Sequence, residues 1–271
     1  MIRKAVFGIA VPCLVMAGLA DGASIRFMGN GDYLDAAGWQ GGVIPGDADQ
    51  ARINWGDNTV TLSGAAPDIE NLQTGVNESG TLIITTGGSL TSEGWSMIGT
   101  AGGGATGTLI VENGGEMSLG AHFWSGVGGS TGRTEINGGT INVGGILGLG
   151  TVDAVNPSGG VGFITVNDGG LLALTNIHGL GTSIQPGSLL DIRGTGQVTL
   201  PGNFVGSINN YIGNSQIAGN GVLGAGALRV DLTTNPGFTT ITAIPEPSAS
   251  SLIGLLVAGA VFVRRRRRVS R

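Results

Sequence analysis

The chain is 271 residues long and 54 of them are glycine, where an ordinary soluble protein has about 7%. Each glycine inside a helix costs about 1 kcal/mol relative to alanine, so this frequency excludes an ordinary helical domain. The glycines keep no three-residue period, which excludes collagen, and with 11% charged and 41% hydrophobic residues the chain is too apolar for generic disorder.

Residues 1–20 read MIRKAVFGIAVPCLVMAGLA: Arg3 and Lys4 precede an apolar stretch, Ala5 to Leu19, that ends in small residues. This is the layout of a secretory signal peptide, with cleavage expected after Ala20 or after Gly22. The alternative, a retained anchor, is disfavoured because the apolar run is shorter than the roughly 20 residues a membrane span needs. Cys13 is the only cysteine and lies in this peptide, so the exported chain is expected to hold neither disulfides nor thiolate metal sites.

Residues 21–50 are expected to cap a repeat body, with Trp39 and Trp55 covering the open end of its first coil. Two acid-rich turns, GNGDYLD at Gly29–Asp35 and GDADQ at Gly46–Gln50, offer the only weak option for a cofactor, a calcium ion. Neither has EF-hand spacing, and solvated turn-forming aspartates explain them more simply. The segment GWQGGVIPGDADQARI, Gly38 to Ile53, resembles the opening of exported proteins with autotransporter-associated or pectin-lyase-like β-repeats. That resemblance implies a right-handed β-helix and assigns no activity.

The body, residues 51–242, repeats. Aligning copies on Gly88, Gly115, Gly139, Gly170 and Gly196, which are 27, 24, 31 and 26 residues apart, exposes the pattern. Positions six and four before each anchor, and two and four after it, are apolar in seventeen of twenty cases, for example Leu82, Ile84 and Leu90, or Leu109, Val111, Met117 and Leu119. Two of the exceptions, Arg133 and Glu135, are explained if one residue has been lost and Thr134 and Ile136 take the inward places. A period of two on each side of a glycine means two short strands joined by a tight turn. A third element follows, an apolar residue and then glycine: Ile98–Gly99, Leu149–Gly150, Leu180–Gly181, and Val127–Gly128 two residues further on. Ala51 to Ile53, Val60 to Leu62 and Ile69 to Leu72 read as a further, degenerate coil. Three strands per copy predict an all-β parallel β-helix or solenoid of about five to six coils, with a β-sandwich of regular hairpins as the runner-up.

Chemistry is sparse in this body. Between residues 21 and 247 there are five arginines, no lysine and all eighteen acids, a net charge of −13. Such a surface lacks the cations that neutralise phosphates, so nucleic acid is not an expected partner. A lyase-type reaction wants clustered carboxylates and a basic residue, yet Arg133 and Arg193 fall in different copies. His122 and His178 sit about two coils apart and read as solvated loop residues. Glu112 with Glu116, or Asp168 with Asp191, are the carboxylate pairs a glycosidase would need, a weak signal in so acidic a chain. GTAGGGATG, Gly99 to Gly107, lacks the lysine and helix of a phosphate cradle. Trp95, Phe123 and Trp124 fall in corresponding loops of adjacent copies; they either cover a coil edge or form an exposed carbohydrate-contacting patch. No catalytic or metal-ligating set is assigned.

Leu228 to Leu232 and Phe238 to Ile241 are expected to close the far end, and residues 243–251 to form a linker. The linker carries Pro245, Glu246 and Pro247; an apolar stretch, Leu252 to Val263, then runs into Arg264, Arg265, Arg266, Arg267 and Arg268. Residues 252–271 thus read as a short membrane helix with a cytoplasmic basic end, the chain's only membrane contact. The three parts in this order resemble the PEP-CTERM sorting signal of exported bacterial proteins. That family's signal implies a membrane processing partner, an exosortase-like enzyme, which cuts near the motif. The expectation is a noncatalytic structural or adhesive protein, transiently anchored in the inner membrane and then at the cell surface or outside it, with extracellular polysaccharide as a second candidate partner. The alternatives are a polysaccharide lyase or hydrolase, or a carbohydrate-binding module, on the same fold.

Overall fold

A computed structural model of the chain describes residues 22–100, 104–150, 159–177 and 183–245. These residues form a parallel β-solenoid of about seven turns. A complete turn supplies three strands that stack on their counterparts in the next, and the first turns lack the third. Row A contains Ser24–Arg26, Gln50–Ile53, Asn71–Val76, Ser96–Thr100, Phe123–Ser125 and the second half of Thr140–Leu149. Row B runs from Gly31–Asp32 through Asn58–Leu62, Gly80–Ile84, Thr106–Glu112, Thr131–Asn137, Val161–Val166 and Leu189–Ile192 to Ile217–Gly219. Row C holds Ser89–Ser92, Glu116–Leu119, the first half of Thr140–Leu149, Leu171–Asn176 and Gln197–Pro201. The ten-residue strand Thr140–Leu149 belongs to both C and A, which joins these rows into one sheet.

The inward ladder is the apolar pattern of the sequence. Leu82, Leu109, Thr134, Ile164 and Leu190 lie in register along row B, as do Ile84, Val111, Ile136, Val166 and Ile192. Thr134 and Ile136, not Arg133 and Glu135, therefore occupy the inward places, as a one-residue loss requires. Along row C the ladder is Leu90, Met117, Ile141, Leu172 and Val198. The strands of the three rows pair only in parallel with one another, so the stack is not built from the hairpins of a β-sandwich.

The glycine pair between rows B and C uses each member differently. The first takes a left-handed conformation, as at Gly114 with φ 75° and Gly138 with φ 80°. The second faces the previous coil, where a Cβ at Gly115 would meet the Ile84 carbonyl oxygen at 2.7 Å.

A second glycine ladder, only half visible in the sequence, pinches the corner between rows A and B. Gly99, Gly126 and Gly150 have φ near 72° and end row A. Gly80, Gly107, Gly132 and Gly162 lie in register on row B, and Gly107 and Gly132 face Gly99 and Gly126. A Cβ on Gly107 would strike the Thr74 carbonyl oxygen and the Gly99 nitrogen. In the second copy the row-A element is Ser125–Gly126, because Ser125 is in register with both Ile98 and Leu149. This corrects the assignment of Val127–Gly128. Leu180–Gly181 lies outside the described residues, and Leu149 instead bridges Ile184.

The ends account for the coils beyond the expected five to six. Ser24–Arg26 and Gly31–Asp32 pair in parallel with Gln50–Ile53 and Asn58–Leu62, so residues 21–50 supply a turn of the stack as well as a cap. Trp39 closes that turn, packed edge-on against Phe27 and Tyr33. Its indole Nε1–H donates to the Tyr33 carbonyl at 2.7 Å. Burial pushes the Tyr33 phenol well above its ordinary pKa. Trp55 lies outside this cluster, 43% exposed.

At the other end Val205–Gly213 forms a helix whose Ile208, Tyr211 and Ile212 cover the core. Their i, i+3, i+4 spacing is that of one helix face, a signal submerged among strands of period two. Phe238–Ala243 then pairs antiparallel with Gln197–Pro201, and Leu228–Asp231 antiparallel with it. This reversal ends the parallel stack, where the sequence predicts closing strands. The turn of this hairpin is held by Asp231, whose Oδ1 accepts from the Thr233 and Thr234 peptide nitrogens, each at 2.7 Å. Those peptide N–H groups, Thr234 first, hold the Asp231 carboxyl well below the usual carboxylate range. A depressed folded pKa means that the bonds persist below the unfolded value of about 3.9 and are lost only as the pH falls through the folded one. A carbon-13 titration should accordingly find Asp231 ionised at about pH 3; protonation near the ordinary aspartate value would refute the arrangement.

Candidate functional site

Strand parity decides which aromatic residues reach solvent. On row A, Trp95 and Met97 alternate with the buried Ser96 and Ile98, and His122 and Trp124 alternate with the buried Phe123 and Ser125. The registered pairs Ser96 with Phe123 and Met97 with Trp124 put Met97 beside Trp124, and Trp95 beside His122, on one outer face. The His122 and Trp124 rings stack with centroids 5.5 Å apart and an interplanar angle of 18°. Ile146, opposite His122 on the next coil, extends the face.

Phe123 does not belong to this face. It is 0% exposed and part of the core, so a ligand on the surface cannot touch it. The sequence held a signal for this: Ile98, Ser125 and Leu149 each precede a corner glycine, and the residue two before an inward position also points inward. Trp95 and Trp124 are both half-buried, in strands or at their edges and not in loops. The Trp95 peptide nitrogen donates to Asn71 Oδ1 at 2.9 Å, which fixes where its strand begins.

The ionisable groups considered for catalysis are engaged in the scaffold. His122 Nδ1 accepts from the Ile146 peptide nitrogen at 3.1 Å, beside the register shift in Thr140–Leu149. It lies just before the strand Phe123–Ser125, half-buried, and this bond holds it in place on the outer face. Glu112 and Glu116 each accept from an asparagine of the next coil, Asn137 at 3.4 Å and Asn142 at 3.1 Å. Asp191 is buried, bonded to the Gly221 peptide nitrogen at 3.0 Å and to Arg193 at 2.6 Å. Asp168 instead serves the Thr195 peptide nitrogen at 2.8 Å. The two members of each pair thus bond different groups of the scaffold. His178 lies outside the described residues.

The acid-rich turns bind their own backbone. Asp32 Oδ1 accepts from the Leu34 nitrogen at 2.8 Å, Asp35 Oδ1 from Ala37 at 3.0 Å, and Asp49 from both Ala23 at 2.9 Å and Gly46 at 3.0 Å. These are turn-capping bonds. Among the described residues no three histidine, aspartate or glutamate side chains are grouped as metal ligands.

Pro245 is exposed, two residues after the last strand ends at Ala243. Glu246, Pro247 and Arg264, Arg265, Arg266, Arg267 and Arg268 lie outside the described residues, as do residues 1–20. No helix among the described residues is long and apolar enough to cross a membrane. Compared with protein-family models, curated proteins and solved structures, the chain matches none.

Proposed function

We propose that this chain is an exported, noncatalytic β-solenoid with a structural or adhesive role at the cell surface or in an extracellular polysaccharide matrix. The order of parts at the C-terminus carries this reading. The stack is closed by antiparallel strands that end at Ala243, and the Pro245–Glu246–Pro247 motif, the apolar stretch and the arginines follow at once. A processing enzyme that cuts at an exposed segment just beyond a finished fold leaves that fold intact. The resemblance to a PEP-CTERM signal makes an exosortase-like enzyme the proposed partner, and the basic tail the temporary membrane contact. The noncatalytic part of the reading is supported by His122, Glu112, Glu116, Asp168 and Asp191, each of which bonds its own scaffold.

Mass spectrometry of the protein recovered outside the cell tests this. The expected N-terminus follows Ala20 or Gly22, and the expected C-terminus lies near Pro245–Pro247. Recovery of surface-exposed chains that retain Arg264 to Arg268 would overturn the processing step.

The outer face of row A favours a second, compatible reading as a carbohydrate contact. Trp95, Met97, His122 and Trp124 are adjacent on two coils, the apolar and aromatic surface on which sugar rings stack.

A further inference from the structure

Only five arginines lie among the eighteen acids between residues 21 and 247, and their placement is uneven. Arg193 pairs with Asp191 at 2.6 Å, and Arg229 with Asp231 at 2.7 Å. Arg133 lies over the Phe163 ring on row B, 5.1 Å from its centroid. Arg26 and Arg52 have no ion-pair partner among the described residues. They face each other in register on neighbouring strands of row A, which stand about 4.8 Å apart. Like charges directly opposite on a sheet destabilise it. In so acidic a body, two unneutralised cations stacked together require a reason.

Their surroundings hold them ready. Arg52 Nε donates to Gln50 Oε1 at 2.9 Å, and that oxygen also accepts from the Ser24 hydroxyl at 3.0 Å. Arg26 lies over the exposed ring of Trp55, 5.3 Å from its centroid. Burial first, and the Arg26 charge second, lower the Arg52 pKa, so the cost of the pair is felt at Arg52. Gln73 is next in the column, in register with Arg52 on one side and Met97 on the other. It is only 8% exposed, yet its Oε1 has no hydrogen-bond partner. The column Arg26, Arg52, Gln73, Met97, Trp124 therefore runs along the coil axis from two cations, through an unsatisfied amide, to an aromatic face.

We propose that this column binds an acidic oligosaccharide, with carboxylates of successive sugars on Arg26 and Arg52 and the chain running on past Gln73 toward Trp124. Guanidinium forks match carboxylates in geometry as well as charge. A linear polymer of repeating charge matches two cations one coil apart and can run on along the column, whereas a single small anion would be left on an open sheet face. The proposal deepens the matrix reading by naming the chemistry of the glycan, and it does not depend on how the chain is sorted.

Calorimetric titration of the full chain with a β-1,4-linked glucuronate trimer, and with cellotriose as its neutral counterpart, tests the site. The expected result is saturable binding of the glucuronate trimer, weakened about tenfold or more in Arg26→Gln and in Arg52→Gln, and unchanged in Arg133→Gln. Cellotriose should bind far more weakly. Melting temperatures of the two row-A variants should equal or exceed that of the parent, since each relieves a like-charge contact. Equal binding of the two trimers, no binding of the acidic one, or full affinity in the Arg26→Gln, Arg52→Gln double variant would each overturn the proposal. None of these outcomes bears on where the exported chain is cut, which the mass of the mature protein decides separately.

Discussion

Gly132→Ala is expected to destabilise the fold by about 4 kcal/mol or more, a large share of the roughly 5–15 kcal/mol that holds an ordinary domain folded. A Cβ at this position would be driven into the Ile98 carbonyl oxygen, the Ser125 hydroxyl and the Gly126 nitrogen. Two of these are backbone atoms of row A, so the neighbour cannot give way by turning a side chain. Nor can row B retreat, because Gly132 is held in register with Gly107 on one side and Gly162 on the other. Close-packed interiors pass such a displacement on to the next layer. Gly206→Ala is the control: Gly206 lies in the Val205–Gly213 helix with nothing within 4 Å of the place a methyl group would take. It should gain about 0.5–1 kcal/mol, because alanine is the better helix former and restricts the unfolded chain. At roughly 2–4 °C per kcal/mol for a chain of this size, thermal melts should move in opposite directions, down by about 10 °C or more and up by a few degrees. A Gly132→Ala protein that melts within a few degrees of the parent would show that the corner is not closed to one methyl group.

The two glycine ladders also mark how far the sequence carries. The turn between rows B and C was legible because its glycines come in pairs and are flanked on both sides by apolar residues of period two, so that even the displaced third copy could be re-read as Thr134 and Ile136. The corner between rows A and B was legible only in part. Its glycines face each other across coils, as Gly107 faces Gly99, and no local pattern records which glycine meets which. The same long-range register made Ser125 the counterpart of Ile98 and turned Phe123 inward while Trp124 stayed outside. One residue of offset exchanges the two faces of a strand, and that offset is fixed by the neighbouring coil. The Arg26–Arg52 column was invisible for a related reason, since residues 26 apart become neighbours only once residues 24–26 are known to stack on residues 50–52.

The two tryptophans expected to share the N-terminal cap should separate sharply when each is removed. Trp39→Ala is expected to cost about 3–5 kcal/mol, the range for deleting a large buried aromatic side chain. Trp39 is 2% exposed, meets Phe27 and Tyr33 at centroid distances of 5.0 and 4.8 Å, and satisfies the Tyr33 carbonyl. Its loss would leave a cavity at the end of the stack and uncover the inward residues of the first coil. Trp55→Ala should cost no more than about 1 kcal/mol, because the ring is 43% exposed and a cation–π contact with the Arg26 guanidinium at such a site is worth little more. Chemical denaturation of the two variants measures both values. Size-exclusion chromatography adds a second readout, since an uncapped solenoid presents strand edges to other chains and Trp39→Ala should self-associate where Trp55→Ala stays in the parent's state. Equal losses in the two variants would place Trp55 in the cap after all. A Trp39→Ala protein as stable as its parent would mean that the first coil is closed by Phe27 and Tyr33 without it.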